Sequence, residues 1–254
     1  MPDILSATAA GQQTDARAAS SLLPLAVTGL AWSAGGQRLV DGIDLALGDG
    51  GVTVIMGPNG AGKSLLIRLL HGLLEPQAGQ IAWNGQQAGE ATRARQAMVF
   101  QKPVLLRRSV AANVDFVLRL KGRVDAAVRD GLLEKAGLLA KARQPARALS
   151  GGEQQRLAMV RALACQPEVL FLDEPTASLD PASTQAIEEM VRDARKDGVK
   201  ILLVTHDMGQ ARRLAHDVVF IHRGRVAEHT PAADFFDTPA SSPARDYLAG
   251  KIVL

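Results

Sequence analysis

A chain of 254 residues with 47% hydrophobic and 22% charged positions can bury the core of one large domain, or of a domain with a subdomain, and is too apolar to be disordered. Its formal charge of +3 comes from 29 basic and 26 acidic side chains. These are interspersed along the chain, without the basic block that would point to nucleic acid as a partner. The single cysteine, Cys165, excludes an intrachain disulfide and fits a reducing compartment; lying just before Pro167 and an apolar run, it reads as a buried structural thiol.

Residues 1–22 are rich in Ala, Ser and Gln, carry Asp3 and Asp15, and lack both the basic start and the apolar stretch of a signal peptide. They read as a flexible tail, and 23–254 as the folded domain. Nowhere does the sequence offer the ~18 consecutive apolar residues of a membrane span, so any membrane contact is expected to run through a partner. From Leu25, short β-rich runs broken by Gly-Gly and Asp-Gly read as hairpins that lead into a buried strand, Val52 to Met56.

That strand ends on "GPNGAGKS", comprising Gly57, Pro58, Asn59, Gly60, Ala61, Gly62, Lys63 and Ser64. The spacing G-x-x-x-x-G-K-S between a strand and a helix is that of a phosphate-binding loop. Glycines let backbone N–H groups converge on phosphate oxygens, the helix start adds a favourable dipole, Lys63 neutralises the outer phosphates and the Ser64 hydroxyl ligates Mg²⁺. The run "LLIRLLHGLLEP" then predicts a helix that begins at or just before Lys63 and closes by Gly72 and Pro76.

Between about Pro103 and Arg147, Leu, Ala, Arg and Lys recur at helical spacing with little β-branching, which predicts a small helical subdomain. "LSGGEQQR" (149–156) follows, a second glycine turn feeding a helix, without a lysine of its own. Its backbone N–H groups and the Ser150 hydroxyl suit a terminal phosphate.

A parallel-sheet pattern then resumes. "VLFLD" (169–173) and "KILLVTH" (200–206) are near-continuous apolar strands, with "PASTQAIEEMVRDARKDG" as the crossover helix between them. Asp173 leaves the carboxyl end of the first, where it can hold a metal through water. Its neighbour Glu174 can polarise an attacking water. "VVFIHRGRVAEHTPAADFF" reads as a closing hairpin and short helix.

The phosphate loop, "LSGGEQQR" and "VLFLDEP", in that order, resemble the ATP-binding subunits of ABC transporters, and the resemblance covers nearly everything from Leu25 onward. It implies an α/β fold: a P-loop NTPase core with a mainly parallel sheet, an N-terminal antiparallel β region and a helical subdomain over about 103–149. It implies ATP and Mg²⁺ as cofactors, with Glu174, His206, Gln101 and Lys63 as the catalytic set. Ser64, Gln101 and Asp173 would hold the metal, Gln101 in "MVFQKP" sensing metal and water, and His206 in "VTHD" would contact the terminal phosphate. Trp32 falls where the family places an aromatic that stacks on adenine.

In the family two copies dimerise head to tail. Ser150, Gly151, Gly152 and Glu153 of one copy would cap ATP held by the other, and Asp180 in "TASLD" belongs to a loop that packs across the dimer. Two departures stand out: Leu65 follows Ser64 where many members carry a second hydroxyl, leaving position 65 without a side-chain contact to the inner phosphate, and His216 occupies a position where an acidic or small residue is more usual.

The partners so implied are a second ATPase subunit, a membrane permease and, through it, a periplasmic or surface solute-binding protein, with the chain peripheral on the cytoplasmic face of the membrane. A soluble ABC ATPase acting on nucleic acid or ribosomes is the alternative. Such proteins tend to carry two ATPase domains or a long coiled-coil insertion between phosphate loop and signature, and the interval from Ser64 to Leu149 has no room for one. The stretches 98–122 and 206–229 resemble tungstate-type importers, within an oxyanion group that also includes molybdate and phosphate systems. An importer of another solute, such as an amino acid or phosphate, is the other alternative.

Overall fold

The computed structural model describes residues 21–251. Strands β1 (Leu25–Ala34) and β2 (Gln37–Leu47) form an antiparallel hairpin. Gly35 and Gly36 at its tip have φ of +57° and +79°, the left-handed pair that a tight two-residue hairpin needs. Strand β3 (Val52–Met56) and helix α1 (Lys63–His71) flank the phosphate loop, and Gly72 closes α1 in a left-handed C-cap with φ +80°. Then come β4 (Ala78–Trp83), β5 (Gln86–Gln87), the one-turn helix α2 (Glu90–Arg93) and β6 (Gln96–Val99).

The segment expected to be helical holds α3 (Val110–Leu120), α4 (Ala126–Lys135) and two 3₁₀ turns at Leu139–Lys141 and Ala146–Ala148. Helix α5 (Gly151–Ala164) then packs against α3 and α4 on one side and against the core on the other. Strand β7 (Val169–Asp173), helix α6 (Pro181–Lys196), β8 (Lys200–Val204), α7 (Met208–Leu214), the hairpin β9 (Asp217–His222) with β10 (Arg225–Pro231), and helices α8 (Ala232–Asp237) and α9 (Ser242–Leu248) follow within the described residues. Helix α9 is absent from the sequence reading, although Ser241 as N-cap and Pro243 in the first turn are a start signal for it.

Two sheets result. The antiparallel one has the order β2-β1-β4-β5, and the six-stranded one the order β10-β9-β3-β8-β7-β6, parallel throughout except for the edge strand β10. The central strands β3, β7 and β8 are buried at every position and nearly all apolar, because both faces are covered. Val54, Leu170, Leu172, Leu203 and Phe220 point into a core shared with α3, α5 and α6. Their neighbours Ile55, Phe171, Leu202 and Val219 point the other way, into a core shared with α1 and the antiparallel sheet. The alternation is the period-2 pleat of a strand, and the parallel pairing of β3, β8 and β7 brings their carboxyl ends to one edge.

The tail expected over 1–22 lies outside the described residues up to position 20. Leu22 is 1% exposed and donates its N–H to Glu168 Oε2 at 2.9 Å, so the chain is tied to the core from that residue. Cys165 is half-buried, its thiol donates to Arg161 O at 3.6 Å, and burial pushes its pKa up, which suits a structural thiol. Among the described residues no helix is long and apolar enough to cross a membrane.

His71 ends α1 with its ring edge-on to Phe171 at 5.6 Å, and Phe171 in turn meets Trp83 at 6.2 Å. Burial, with a smaller push from Arg93, lowers the His71 pKa from 6.5 to about 4. The unfolded chain therefore takes up this proton near pH 6.5 while the folded chain refuses it until about pH 4. Stability is lost as the pH falls through that window, by up to about 3 kcal/mol. His71→Phe, which keeps a ring against Phe171, is expected to remove that part of the acid sensitivity. Urea unfolding at pH 7 and pH 4.5 measures it, and equal losses in the two chains would exclude His71 as the source.

Candidate active site

The phosphate loop can form only because two of its positions lack a side chain. Gly57 has φ +145°, and a Cβ there would lie 2.1 Å from the Ile221 carbonyl oxygen. Gly62 has φ +100°, and a Cβ there would lie 2.4 Å from the Leu39 carbonyl oxygen. Both conformations are ones that L residues resist, so the backbone packs against β9 and β2 through glycine alone. Gly60 supplies a third left-handed turn with φ +79°. Ala61 is buried, its N–H bonded to Pro58 O at 3.2 Å and its carbonyl accepting from Gly224 N at 3.1 Å.

Gly62 is the N-cap of α1, and Leu66 N is the first amide to bond back to it, at 2.8 Å. The N–H groups of Lys63, Ser64 and Leu65 are thus left for another acceptor at the positive end of the helix dipole. The Leu65 side chain packs into the core beneath, so only its amide can serve a phosphate.

Lys63 is 6% exposed, and its ammonium donates to Gly57 O at 2.8 Å and Pro58 O at 2.9 Å. Burial lowers its pKa, while the charges of Glu174 and Asp173 work in the opposite direction. Ser64 Oγ donates to Asp173 Oδ1 at 2.6 Å, and Arg68 lies 3.4 Å from Asp173 Oδ2. Asp173 itself is 3% exposed at the end of β7.

The next residue, Glu174, has φ +47°, a left-handed conformation that is costly for a side-chain-bearing residue and that clusters at functional sites. Its amide bonds to Val204 O at 3.0 Å. Gln101 Nε2 and His206 Nδ1 both reach Glu174 Oε2 at 3.3 Å. A cavity of about 520 Å³ opens here, lined by Gly57, Pro58, Asn59, Gln101, Glu174, His206 and Tyr247. Tyr247 is the lining residue that sequence reading missed.

The signature turn lies elsewhere. Ser150 is the N-cap of the 14-residue helix α5, its hydroxyl accepting from Glu153 N at 3.4 Å while the Glu153 carboxylate accepts from Ser150 N at 3.0 Å. Lys141 anchors the same carboxylate from the first 3₁₀ turn. Ser150 and Gly151 are exposed. Gly152 is buried, and a Cβ there would lie 2.2 Å from Ser183 Oγ, so α5 and α6 meet through glycine.

Asp180 caps α6, accepting from Ser183 N at 2.9 Å and Ser183 Oγ at 2.7 Å. These hydrogen bonds hold its carboxyl below the usual range. The signature turn and Asp180 thus sit together, and neither lines the cavity.

Trp32 is half-buried on β1 opposite Val40, next to the Leu39 carbonyl that touches Gly62, and does not line the cavity. His216 lies at the far end of β3 from the loop, where its Nδ1 accepts from Val52 N at 3.1 Å and its own N–H donates to Val52 O at 2.9 Å. Its role there is to pin the start of the strand.

Nitrogen donors, an ammonium group and a helix start gathered around one loop suit a nucleoside triphosphate. The Ser64 hydroxyl and Asp173 carboxylate form a hard oxygen pair of the kind that Mg²⁺ shares with phosphates. Among the described residues no group of three or more His, Cys, Asp or Glu could hold a metal by itself. A metal completed by phosphate oxygens requires none.

The chain is similar to known proteins of one family. The ABC transporter family model matches residues 40–177. The chain is 37% identical over 265 residues to a phosphate import ATP-binding protein, PstB 2 of Natronomonas pharaonis, covering 96% of this chain and 93% of that one. It is 40% identical over 210 residues to the tungstate uptake system ATP-binding protein TupC of Peptoclostridium acidaminophilum, covering 81% of this chain and 98% of that one. It is 39% identical to the methionine import ATP-binding protein MetN of Caulobacter vibrioides, covering 85% of this chain and 69% of that one. A solved ATP-binding subunit of an ABC transporter superposes with a TM-score of 0.77 at 27% identity, covering 89% of this chain and 99% of that one. The fold, the order of the motifs and these relatives lead to one assignment: the chain belongs to the ABC transporter family, as an ATPase subunit.

Proposed function

We propose that this chain is the ATP-hydrolysing motor of an importer for an oxyanion, tungstate or a related species, working as a head-to-tail homodimer beneath membrane permease subunits. The observation that carries the motor reading is the split between a complete phosphate loop and an exposed glycine turn at a helix start, Ser150-Gly151, that suits a phosphate yet stands apart from the cavity. A second copy resolves the split, its signature turn closing over the terminal phosphate held by the first.

In that arrangement Lys63 exchanges its contacts with Gly57 O and Pro58 O for the outer phosphates. The amides of residues 63–65 take the inner oxygens. Ser64 and Gln101 would hold Mg²⁺ directly and Asp173 through water, and the bound ion supplies charge neutralisation across the phosphates. Glu174 accepts a proton from, or polarises, the attacking water, and His206 beside it holds water and phosphate in line. Trp32, on the hairpin that abuts the loop, provides the ring for adenine. Closing and opening of the dimer becomes the motion passed to the permease, and through it to solute delivered by a periplasmic or surface binding protein.

Relatives named for phosphate and tungstate import support the oxyanion reading, and the relative named for methionine supplies the competing one. Reconstitution of the chain with its permease and binding protein in vesicles tests it. ATP-dependent uptake of tungstate or phosphate is expected, and uptake of methionine in their place would overturn the substrate class while leaving the motor intact.

A further inference from the structure

One wall of the catalytic cavity is built by a residue outside the phosphate loop, the Asp-Glu strand and the His206 turn. Tyr247, the only tyrosine in the chain, stands on α9 and lines the cavity with Glu174, His206 and Gln101. Helix α9 is held firmly. The Glu228 carboxylate on β10 accepts from the amides of Ala240 at 3.0 Å and Ser241 at 2.8 Å, Ser241 Oγ caps the helix through Ala244 N at 3.3 Å, and Arg245 donates back to Pro239 O and Ala240 O at 3.0 and 2.7 Å.

The Tyr247 ring packs on Phe220 at 5.3 Å, and Phe220 packs on Phe235 of α8 at 5.8 Å. Phe220 is itself paired across the sheet with Met56, the residue that leads into the phosphate loop. The ring is thus anchored against the strand end from which the loop departs, and Tyr247 is the residue of α9 that lines the cavity. Burial, and then the negative charge of Glu174, push the phenol pKa up, so the hydroxyl keeps its proton. Gln101 and His206 both approach Glu174 at Oε2.

From this geometry we propose that Tyr247 is a positioning residue for hydrolysis, its hydroxyl donating toward the Glu174 carboxylate and holding it, and through it the attacking water, in line with the terminal phosphate. The role rests on the motor reading above and adds the C-terminal helix to the hydrolytic centre.

The test uses the full chain. Tyr247→Phe keeps the ring on Phe220 and removes the donor. It is expected to lower kcat for Mg-ATP roughly tenfold, within what misplacing a catalytic group by an ångström costs, with KM and Tm unchanged. Tyr247→Leu, which loses the ring as well, is expected to lower Tm in addition. Because the chain has one tyrosine, uniform labelling with 3-fluorotyrosine gives a single ¹⁹F resonance from position 247. That resonance is expected to move when Glu174→Gln is introduced.

An unchanged kcat in Tyr247→Phe, or a ¹⁹F signal blind to Glu174→Gln, overturns the proposal. If Glu174→Gln is inactive while Tyr247→Phe is unimpaired, the Tyr247 role alone fails. If Glu174→Gln itself hydrolyses ATP normally, the hydrolytic reading fails and the Tyr247 role with it.

Discussion

Glu174→Gln is expected to lower ATP hydrolysis by about 10³-fold, the middle of the range for removing a general base, while Mg-ATP affinity stays within about twofold because the loop amides and Lys63 carry most of the binding. The substitution keeps the shape of the side chain and its capacity to accept from Gln101 Nε2, which lies 3.3 Å from the carboxylate in the parent chain. It removes the charge and the basicity. It also removes an anion that, beside Asp173, favours the protonated form of Lys63. Steady-state phosphate release and equilibrium nucleotide binding, measured on the same preparation, separate the two effects. A variant that turns over near the parent rate would show that water is activated by another group. Accumulation of an ATP-bound dimer in the variant would tie the lost chemistry to the proposed cycle.

The second large effect is expected at Ser150. Ser150→Arg should leave each monomer able to bind Mg-ATP and yet lower hydrolysis at least about 100-fold, since a lost phosphate-stabilising donor in a closed site costs 10²–10³. The same change removes an N-cap and should destabilise the monomer by about 1 kcal/mol. Ser150→Asp separates these consequences. Aspartate caps a helix as well as serine does, so stability should hold, whereas its charge opposes a phosphate and hydrolysis should still fail. Size-exclusion chromatography with Mg-ATP reports the dimer, and thermal unfolding reports the cap. If Ser150→Asp dimerised and hydrolysed ATP normally, the turn would be a helix cap without a ligand.

Much of the candidate site is legible in the sequence because its chemistry is local in the chain. The loop from Gly57 to Ser64, the Asp173-Glu174 pair and the 149–156 turn are each short stretches whose residue types follow from phosphate geometry or strand ends, and the structure places β3, β7, β8 and α1 where those stretches imply. The near-continuous apolar runs 52–56, 169–173 and 200–206 are likewise legible as buried parallel strands, the last ending at Val204 in the structure, since a strand covered on both faces has no polar alternation to keep.

Other features arise only when distant segments meet. The requirement for glycine at 57, 62 and 152 comes from Ile221, Leu39 and Ser183, residues far away in the chain that leave no space for a Cβ. The left-handed backbone of Glu174 carries no sequence signal, because glutamate has no preference for that conformation. His216, a departure from the family pattern when read along the chain, has a purpose once β3 lies beside it: its ring nitrogen takes the Val52 amide.

Tyr247 is the clearest case. Seven residues of α9, with a serine cap and a proline in the first turn, signal a short helix and nothing about where it sits. Its position is set by Glu228 accepting the backbone of 240 and 241 and by Phe220 receiving the ring. The sequence by itself determined the phosphate chemistry, since spacing along a backbone dictates which amides, hydroxyls and carboxylates can converge on a triphosphate. Which side chains share a cavity with Glu174, and which glycine turn stands apart from it, was decided by the packing of sheets and helices, because such neighbours are joined through space and leave no periodicity in the chain.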